Sequence, residues 1–416
     1  MNEEFSFMHE KIKDKPFYKK KWVRIAGITV ILAVLFGGIA GFTFVKIYDW
    51  MEEKQIQKAM TEIEIPKDVE EDSESVKIQQ PAVEPETIVL ETQMTPEDYA
   101  VLYAGIQEIA ENVKKSLVTV TAVNNEVDWF NEAYENRGQS SGMIIGDNGV
   151  ELLVLTEYSM VASCDGINVS FVDQTIAGAA LKKYDVTTNL AVISVNLSDI
   201  SETTKEKIVK ATLGNTTRIE AGTPVIAIGR ADGSENSMVI GALTSVQNAQ
   251  SVVDAEYKIL VTDMMKNASA KGVLVNLRGE VVGILQEEYL TANMQNVLTA
   301  YSISDIKDLL EHLSNNQDIA YLGIKGLTVT AEALRSGVPS GVYVTEVEMD
   351  SPAMLGGIQN GDVLQAINGQ KVTTMQEFSD VLSRLSNRQR ITLEGQRFTK
   401  DGYKKINYQA SLSVLE

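Results

Sequence analysis

Between residues 117 and 285 the chain is a succession of short β-rich runs separated by glycine-bearing turns, and this texture constrains the fold more than any other feature. The runs cover 117–123, 141–145, 152–155, 167–172, 190–195, 224–228, 238–246, 259–262, 273–275 and 281–285. Turn signals such as Asp147-Asn148-Gly149, Ala231-Asp232-Gly233 and Arg278-Gly279 separate them. Many short strands at regular spacing predict a mainly β domain, a barrel or a sandwich. A helical period precedes them (Tyr99, Leu102, Ile106, Ile109, Val113), with Thr95 before Pro96 as its N-cap pair.

Composition removes several classes of function. Against 57 acidic residues stand 37 basic ones, so the basic footprint that a nucleic-acid binder needs is missing. One cysteine, Cys164, excludes an intrachain disulfide and a cysteine metal cluster. The two histidines, His9 and His312, leave no material for a zinc site with several imidazoles. No metal and no cofactor are expected. Any histidine-based catalysis must use one of those two positions.

Residues 25–45 read IAGITVILAVLFGGIAGFTFV, twenty-one residues without a charge. About 20 apolar helical residues span the hydrocarbon core of a bilayer. Residues 1–24 carry seven basic and four acidic side chains, and the chain turns acidic after the run. The positive-inside rule therefore predicts a single-pass transmembrane helix at 25–45, with a cytoplasmic tail at 1–24 and the main domains extracytoplasmic. A cleaved signal peptide is the alternative, but its apolar core is usually about 7–15 residues long. Residues 49–98 hold fifteen Asp or Glu and four Lys. The stretch 46–98 reads as an acidic, solvated linker with too little apolar surface to fold.

The order of four segments resembles the trypsin-like domain of the HtrA/Deg serine proteases. They are Ser141-Gly142-Met143-Ile144-Ile145 with Asp147-Asn148-Gly149, then Asp185-Val186-Thr187-Thr188-Asn189-Leu190-Ala191-Val192-Ile193. Next come Ala211-Thr212-Leu213-Gly214 with Gly222-Thr223-Pro224-Val225-Ile226-Ala227-Ile228-Gly229. Last are Val261-Thr262-Asp263 and the run from Leu274 to Ile284. The resemblance implies a trypsin-like double β-barrel over residues 99–314.

The catalytic positions depart from the family pattern. Chemistry of this type needs a serine activated by histidine, a histidine oriented by aspartate, and backbone donors for the oxyanion. Matching motif to motif puts Ser159 at the histidine position, Asn189 at the aspartate position and Ala270 at the nucleophile. The nucleophile loop, 267–273, is one residue short, and its oxyanion glycine falls at Ala268. All three triad roles are vacant. Such a loss typically lowers turnover by on the order of 10⁶. A competing possibility is a Ser269–Lys271 dyad, since a desolvated lysine can activate serine and residues i and i+2 of an extended stretch point the same way. His9 is expected to be cytoplasmic, and His312 to sit exposed on a helix at 304–314.

Residues 317–416 resemble the PDZ domain that follows the protease in this family. Tyr321-Leu322-Gly323-Ile324 matches the carboxylate-binding loop, and Ser351-Pro352-Ala353 through Gly361-Asp362-Val363-Leu364 matches the domain signature. The resemblance implies that a peptide adds as a strand beside residues 324–326, its terminal carboxylate on the backbone N–H groups of Leu322, Gly323 and Ile324. Phe378 is either a wall of the side-chain pocket or a core residue. The expected function is a membrane-anchored, non-catalytic protease homologue. It would bind peptide or unfolded-protein C-termini in extracytoplasmic quality control, or regulate an active paralogue. An unorthodox serine endopeptidase and an oligomeric scaffold are the alternatives, and the family resemblance implies a homo-trimer or a hetero-oligomer with the paralogue.

Overall fold

The computed structural model describes residues 60–68, 95–127, 133–267, 269–286 and 296–414. The apolar run at 25–45, His9 and Ala268 lie outside the described residues. Among the described residues no helix is long and apolar enough to cross a membrane. Residues 62–416 form one compact unit.

Helix α1 (Pro96–Lys114) starts as its sequence dictates. Thr95 accepts from the Asp98 backbone N–H, Asp98 accepts from Thr95 N, and Pro96 occupies the first turn. Only its second half is anchored. Ile106, Ala110 and Val113 are buried, while Tyr99 and Leu102, which share the expected apolar face, are more than half exposed.

Two closed barrels follow. The first contains β1 (Leu117–Val127), β2 (Ala133–Asp147), β3 (Glu151–Glu157), β4 (Gly166–Ser170), β5 (Ile176–Asp185) and β6 (Leu190–Asn196), in the order β1-β2-β3-β6-β5-β4. The second contains β7 (Pro224–Arg230), β8 (Ser237–Val252), β9 (Ala255–Met265), β10 (Lys271–Val275), β11 (Val281–Gln286) and β12 (Val297–Ser302), in the order β10-β11-β12-β9-β8-β7. The trypsin-like double barrel implied by the sequence is therefore present.

Side chains alternate across a strand, and here both faces are buried. On β3, Leu152 and Val154 fill the first barrel, while Leu153 and Leu155 face a layer between the barrels. On β7, Val225 and Ala227 fill the second barrel, while Ile226 and Ile228 join the same layer. On β10, Leu274 points into the barrel, and Val273 and Val275 point into the layer. Helix α2 (Ile303–Ser314) closes the layer with Ile306, Leu310 and Leu313.

Two strands were not expected from sequence. β5 carries Lys182 and Lys183 and is only partly buried along its length, so its apolar signal is weak. β12 is almost wholly buried but abuts a segment outside the described residues.

The PDZ domain is built on the sheet β14-β15-β16-β18-β19: β14 (Ile324–Thr328), β15 (Val342–Val347), β16 (Val363–Ile367), β18 (Arg390–Thr399) and β19 (Gly402–Ser411). Short β13 (Ala320–Tyr321) and β20 (Ser413–Val414) pair with each other, and β17 (Gln370–Lys371) pairs with β16. Helix α3 (Met375–Ser383), capped by Thr374, covers the core. Asp362, fully buried, is held bidentately by Arg397 at 2.6 and 2.8 Å.

Two expectations change at α2. Residues 62–68 of the acidic stretch are a docked strap, not a solvated linker. The side chain of Asn315 brackets Ile63, accepting from its N–H and donating to its carbonyl, each at 2.8 Å. Ile65 is buried in the layer, and Lys307 holds Asp68 in an almost fully buried ion pair of 2.7 Å. The charge density that marked this stretch as spacer is locally matched by basic and amide groups on α2. His312 is likewise not free on its helix: its ring nitrogens reach the carbonyls of Asp308 at 2.7 Å and Ser383 at 3.1 Å, tying α2 to α3.

Replacing Asn315 by Ala removes both strap bonds. At roughly 0.5–1.5 kcal/mol each, stability should fall by about 1–3 kcal/mol. Trypsin cleavage after Lys67 should accelerate at the same time. Thermal unfolding and timed proteolysis of the variant check this, and an unchanged cleavage rate would refute the strap.

Candidate functional site: a vacant triad and an occupied carboxylate loop

The first two triad positions meet each other. Ser159 lies in the helical turn Tyr158–Val161 that follows β3, and Asn189 ends the turn between β5 and β6. Buried Asp185 shapes that turn by accepting from the N–H groups of Thr187 and Thr188 and from the Thr188 hydroxyl at 2.6 Å. The result is a left-handed residue at Asn189 (φ +58°), a conformation that asparagine tolerates better than most. Its Oδ1 accepts from Ser159 N at 2.7 Å, and its Nδ2 donates to Ser159 Oγ at 3.1 Å. The geometry that would orient an imidazole here orients a hydroxyl. Serine and asparagine are neutral, and neither acts as a base near pH 7.

The third position is part of a core. Ala270 is 2% exposed, packed in the second-barrel cluster with Met264, Leu274 and Leu298. Its N–H donates to Asn267 O, closing a tight turn, and a methyl in that cluster offers no nucleophile. Ser269 is exposed, its N–H bonded to Asn267 Oδ1 at 3.0 Å. Lys271, the expected dyad partner, carries its nitrogen to Glu157 Oε1 at 2.6 Å, and both side chains are nearly buried. A lysine that works as a base must be a neutral amine, whereas this one is an ion-pair partner tying β10 to the end of β3.

The space beside that pair is small. Ser141, Leu155, Glu157, Leu190, Lys271 and Gly272 line a cavity of about 20 Å³. That is room for about one water, not for a peptide side chain.

The carboxylate loop is intact and filled. Gly323 adopts φ +91°, and a Cβ there would run into Ser351. The N–H groups of Leu322, Gly323 and Ile324 converge as expected, but on a side chain of the same chain. Leu322 N donates to Asp254 Oδ2 at 2.7 Å, Gly323 N to both oxygens at 3.0 and 2.9 Å, and Ile324 N to Oδ1 at 3.0 Å. Asp254 N in turn donates to Ile324 O at 2.7 Å.

Asp254 is the second residue of the two-residue turn that joins β8 to β9, where Val252 pairs with Ala255. Its φ of +60° lies in the left-handed region that Asp tolerates. The hairpin packs on β14 and α3. Phe378, a possible pocket wall by sequence, is fully buried in the PDZ core and takes the core role.

Burial dominates the electrostatics of Asp254. Its carboxyl sits at about 6 overall: loss of solvent raises it most, the three backbone donors pull it down, and the Glu348 carboxylate pushes it up. Tyr321 is raised as well, by burial first and then by Asp254 and Glu348. Lys325, nearby on β14, is engaged by Glu346 and Glu348 at 2.9 and 3.3 Å. On the hairpin side, Glu256 is also raised, mainly by burial.

Sequence reading missed Asp254 entirely. The only available signal was Val252-Val253-Asp254-Ala255, an acidic residue at a turn amid apolar neighbours, which is compatible with any surface hairpin.

Comparison with known proteins agrees with the architecture. Residues 140–284 match the trypsin-like peptidase domain family and residues 343–397 the PDZ domain family. Serine protease HTRA1A of Danio rerio is 24% identical over 302 residues, 68% of this chain and 60% of that protein. Serine protease Do-like HtrA of Bacillus subtilis is 24% identical over 305 residues, 69% of this chain and 65% of that protein. The chain thus spans less than two thirds of the length of these relatives. Among solved structures, HtrA-type protease AlgW with a decapeptide superposes with a TM-score of 0.55 at 21% identity, covering 76% of this chain and 99% of that one. The serine endoprotease from Yersinia pestis gives a TM-score of 0.50 at 21% identity, covering 74% and 98%. The chain thus carries a trypsin-like peptidase domain and a C-terminal PDZ domain, and it is similar to HtrA-type proteases across both.

The Asp254 carboxyl, near 3.8 when free and about 6 when seated, makes seating pH-dependent. With the seated value raised, its contribution is complete below pH 3.8 and is lost as pH rises through about 6. The full swing is on the order of 3 kcal/mol. Hydrogen exchange at the Leu322, Gly323 and Ile324 amides, corrected for intrinsic rates, should show more protection at about pH 5 than at about pH 8. In Asp254→Asn that difference should vanish.

Proposed function

We propose that this chain is a membrane-anchored, outward-facing protease homologue without peptidase activity. It binds peptide or unfolded-protein C-termini through its PDZ domain, in extracytoplasmic quality control or in regulating an active paralogue. One observation carries the non-catalytic reading: the nucleophile position is a methyl group in the second-barrel core, while Ser159 and Asn189 satisfy each other. The small size of the cavity between β3 and β10 is consistent with it. Peptide recognition is supported by three convergent backbone donors with affinity for a carboxylate. The anchor rests on the uncharged run at 25–45 and the charge asymmetry around it. Trimerisation, implied by the family resemblance, is part of the same proposal and is tested by sedimentation.

The full-length protein incubated with unfolded casein and a fluorophosphonate probe should neither cleave nor become labelled. Cleavage or labelling that disappears on Ser269→Ala would overturn the proposal in favour of a Ser–Lys endopeptidase. A substitution at Gly323 is a poor test of the groove, because any side chain there collides with Ser351. Amidating the peptide terminus removes the carboxylate without touching the fold.

A further inference from the structure

The PDZ groove already holds a ligand. A terminal peptide residue in such a groove makes two kinds of bond: its N–H to the carbonyl at the start of the groove strand, and its carboxylate to the loop donors. Asp254 makes both, the first to Ile324 O and the second to the N–H groups of Leu322, Gly323 and Ile324. Its side-chain carboxylate stands where a chain terminus would stand. Farther along the strand, the Gly326 carbonyl accepts from Ser251 Oγ at 2.9 Å. Val252, Asp254 and Ala255 are 6%, 8% and 6% exposed, although they form the tip of a long hairpin. An ordinary hairpin tip is solvated, so this one is buried by what it docks into.

We infer that the β8–β9 tip is a tethered ligand of the PDZ domain, and that a partner is captured only when its free C-terminal carboxylate displaces Asp254 from the Leu322-Gly323-Ile324 loop. The inference rests on the proposed peptide-binding function and deepens it. The ligand class is an extended chain segment ending in a free carboxylate, with an amide N–H available to Ile324 O. Both ligands need the same three donors, so binding is exclusive. A tether holds its ligand at a local concentration in the millimolar range or above, so weak termini are rejected and only tight or abundant ones are admitted. Fractional occupancy by the tip raises the apparent dissociation constant of any outside peptide by the reciprocal of the free fraction.

Asp254→Gly tests this without disturbing the turn. Glycine accepts φ near +60°, and the substitution deletes the carboxylate. The probe is a pool of fluorescent heptapeptides randomised over the last three positions, in free-acid and amidated forms, titrated into the full-length protein by fluorescence polarisation. We expect the free-acid pool to bind Asp254→Gly at least tenfold more tightly than wild type, and the amidated pool to bind neither protein. Equal binding of the free-acid pool to wild type and variant would overturn the tethered-ligand inference while leaving the peptide-binding function standing. Absence of binding to both would remove that function and the inference with it. Should Asp254→Gly lose its unfolding transition, Asp254→Ala, which also deletes the carboxyl group, replaces it, with tighter free-acid binding than wild type again expected and equal binding again fatal.

Discussion

Strands buried on both faces hold this molecule together. Leu153, Leu155, Ile226, Ile228, Val273 and Val275 alternate with residues that fill the two barrels, and they create an apolar layer that belongs to neither barrel alone. Helix α2 closes that layer from one side, and the strap 62–68 is fastened to α2 through Asn315, Ile65 and Asp68. Because α2 also reaches α3 through His312, the layer fixes where the PDZ domain begins relative to the barrels. The scaffold's stability resides in this packing rather than in the polar side chains at Ser159 and Asn189.

The same separation of scaffold from chemistry accounts for the state of the triad. Ser159 and Asn189 keep the backbone turn of an active site and convert it into a closed hydrogen-bonded pair. Ala270 is part of the second-barrel core. Glu157 and Lys271 then tie β3 to β10 with an ion pair of 2.6 Å. At each of these positions polar groups are satisfied locally or the side chain packs in a core.

Much of the fold was legible in the sequence. Ten of the strands in the two barrels follow from β-rich runs between glycine turns, and the start of α1 from Thr95 before Pro96. β5 escaped because a half-solvated strand bearing two lysines carries little apolar contrast. The strap escaped because an acidic segment announces solvation unless the surface it meets is known. At the candidate site, sequence located the donors Leu322, Gly323 and Ile324 but not their occupant. Donors belong to a local motif, whereas Asp254 lies about 70 residues upstream and reaches them only through the β8–β9 hairpin.

The sequence by itself determined the two-domain plan and the carboxylate-binding loop, because each is written in contiguous residues whose local conformation they dictate. Tertiary structure alone decided that Phe378 is core, that Lys271 serves Glu157, and that the PDZ loop is filled from within. These outcomes depend on which groups from distant segments approach within hydrogen-bonding distance. That approach is set by barrel closure and domain docking, neither of which any local pattern encodes.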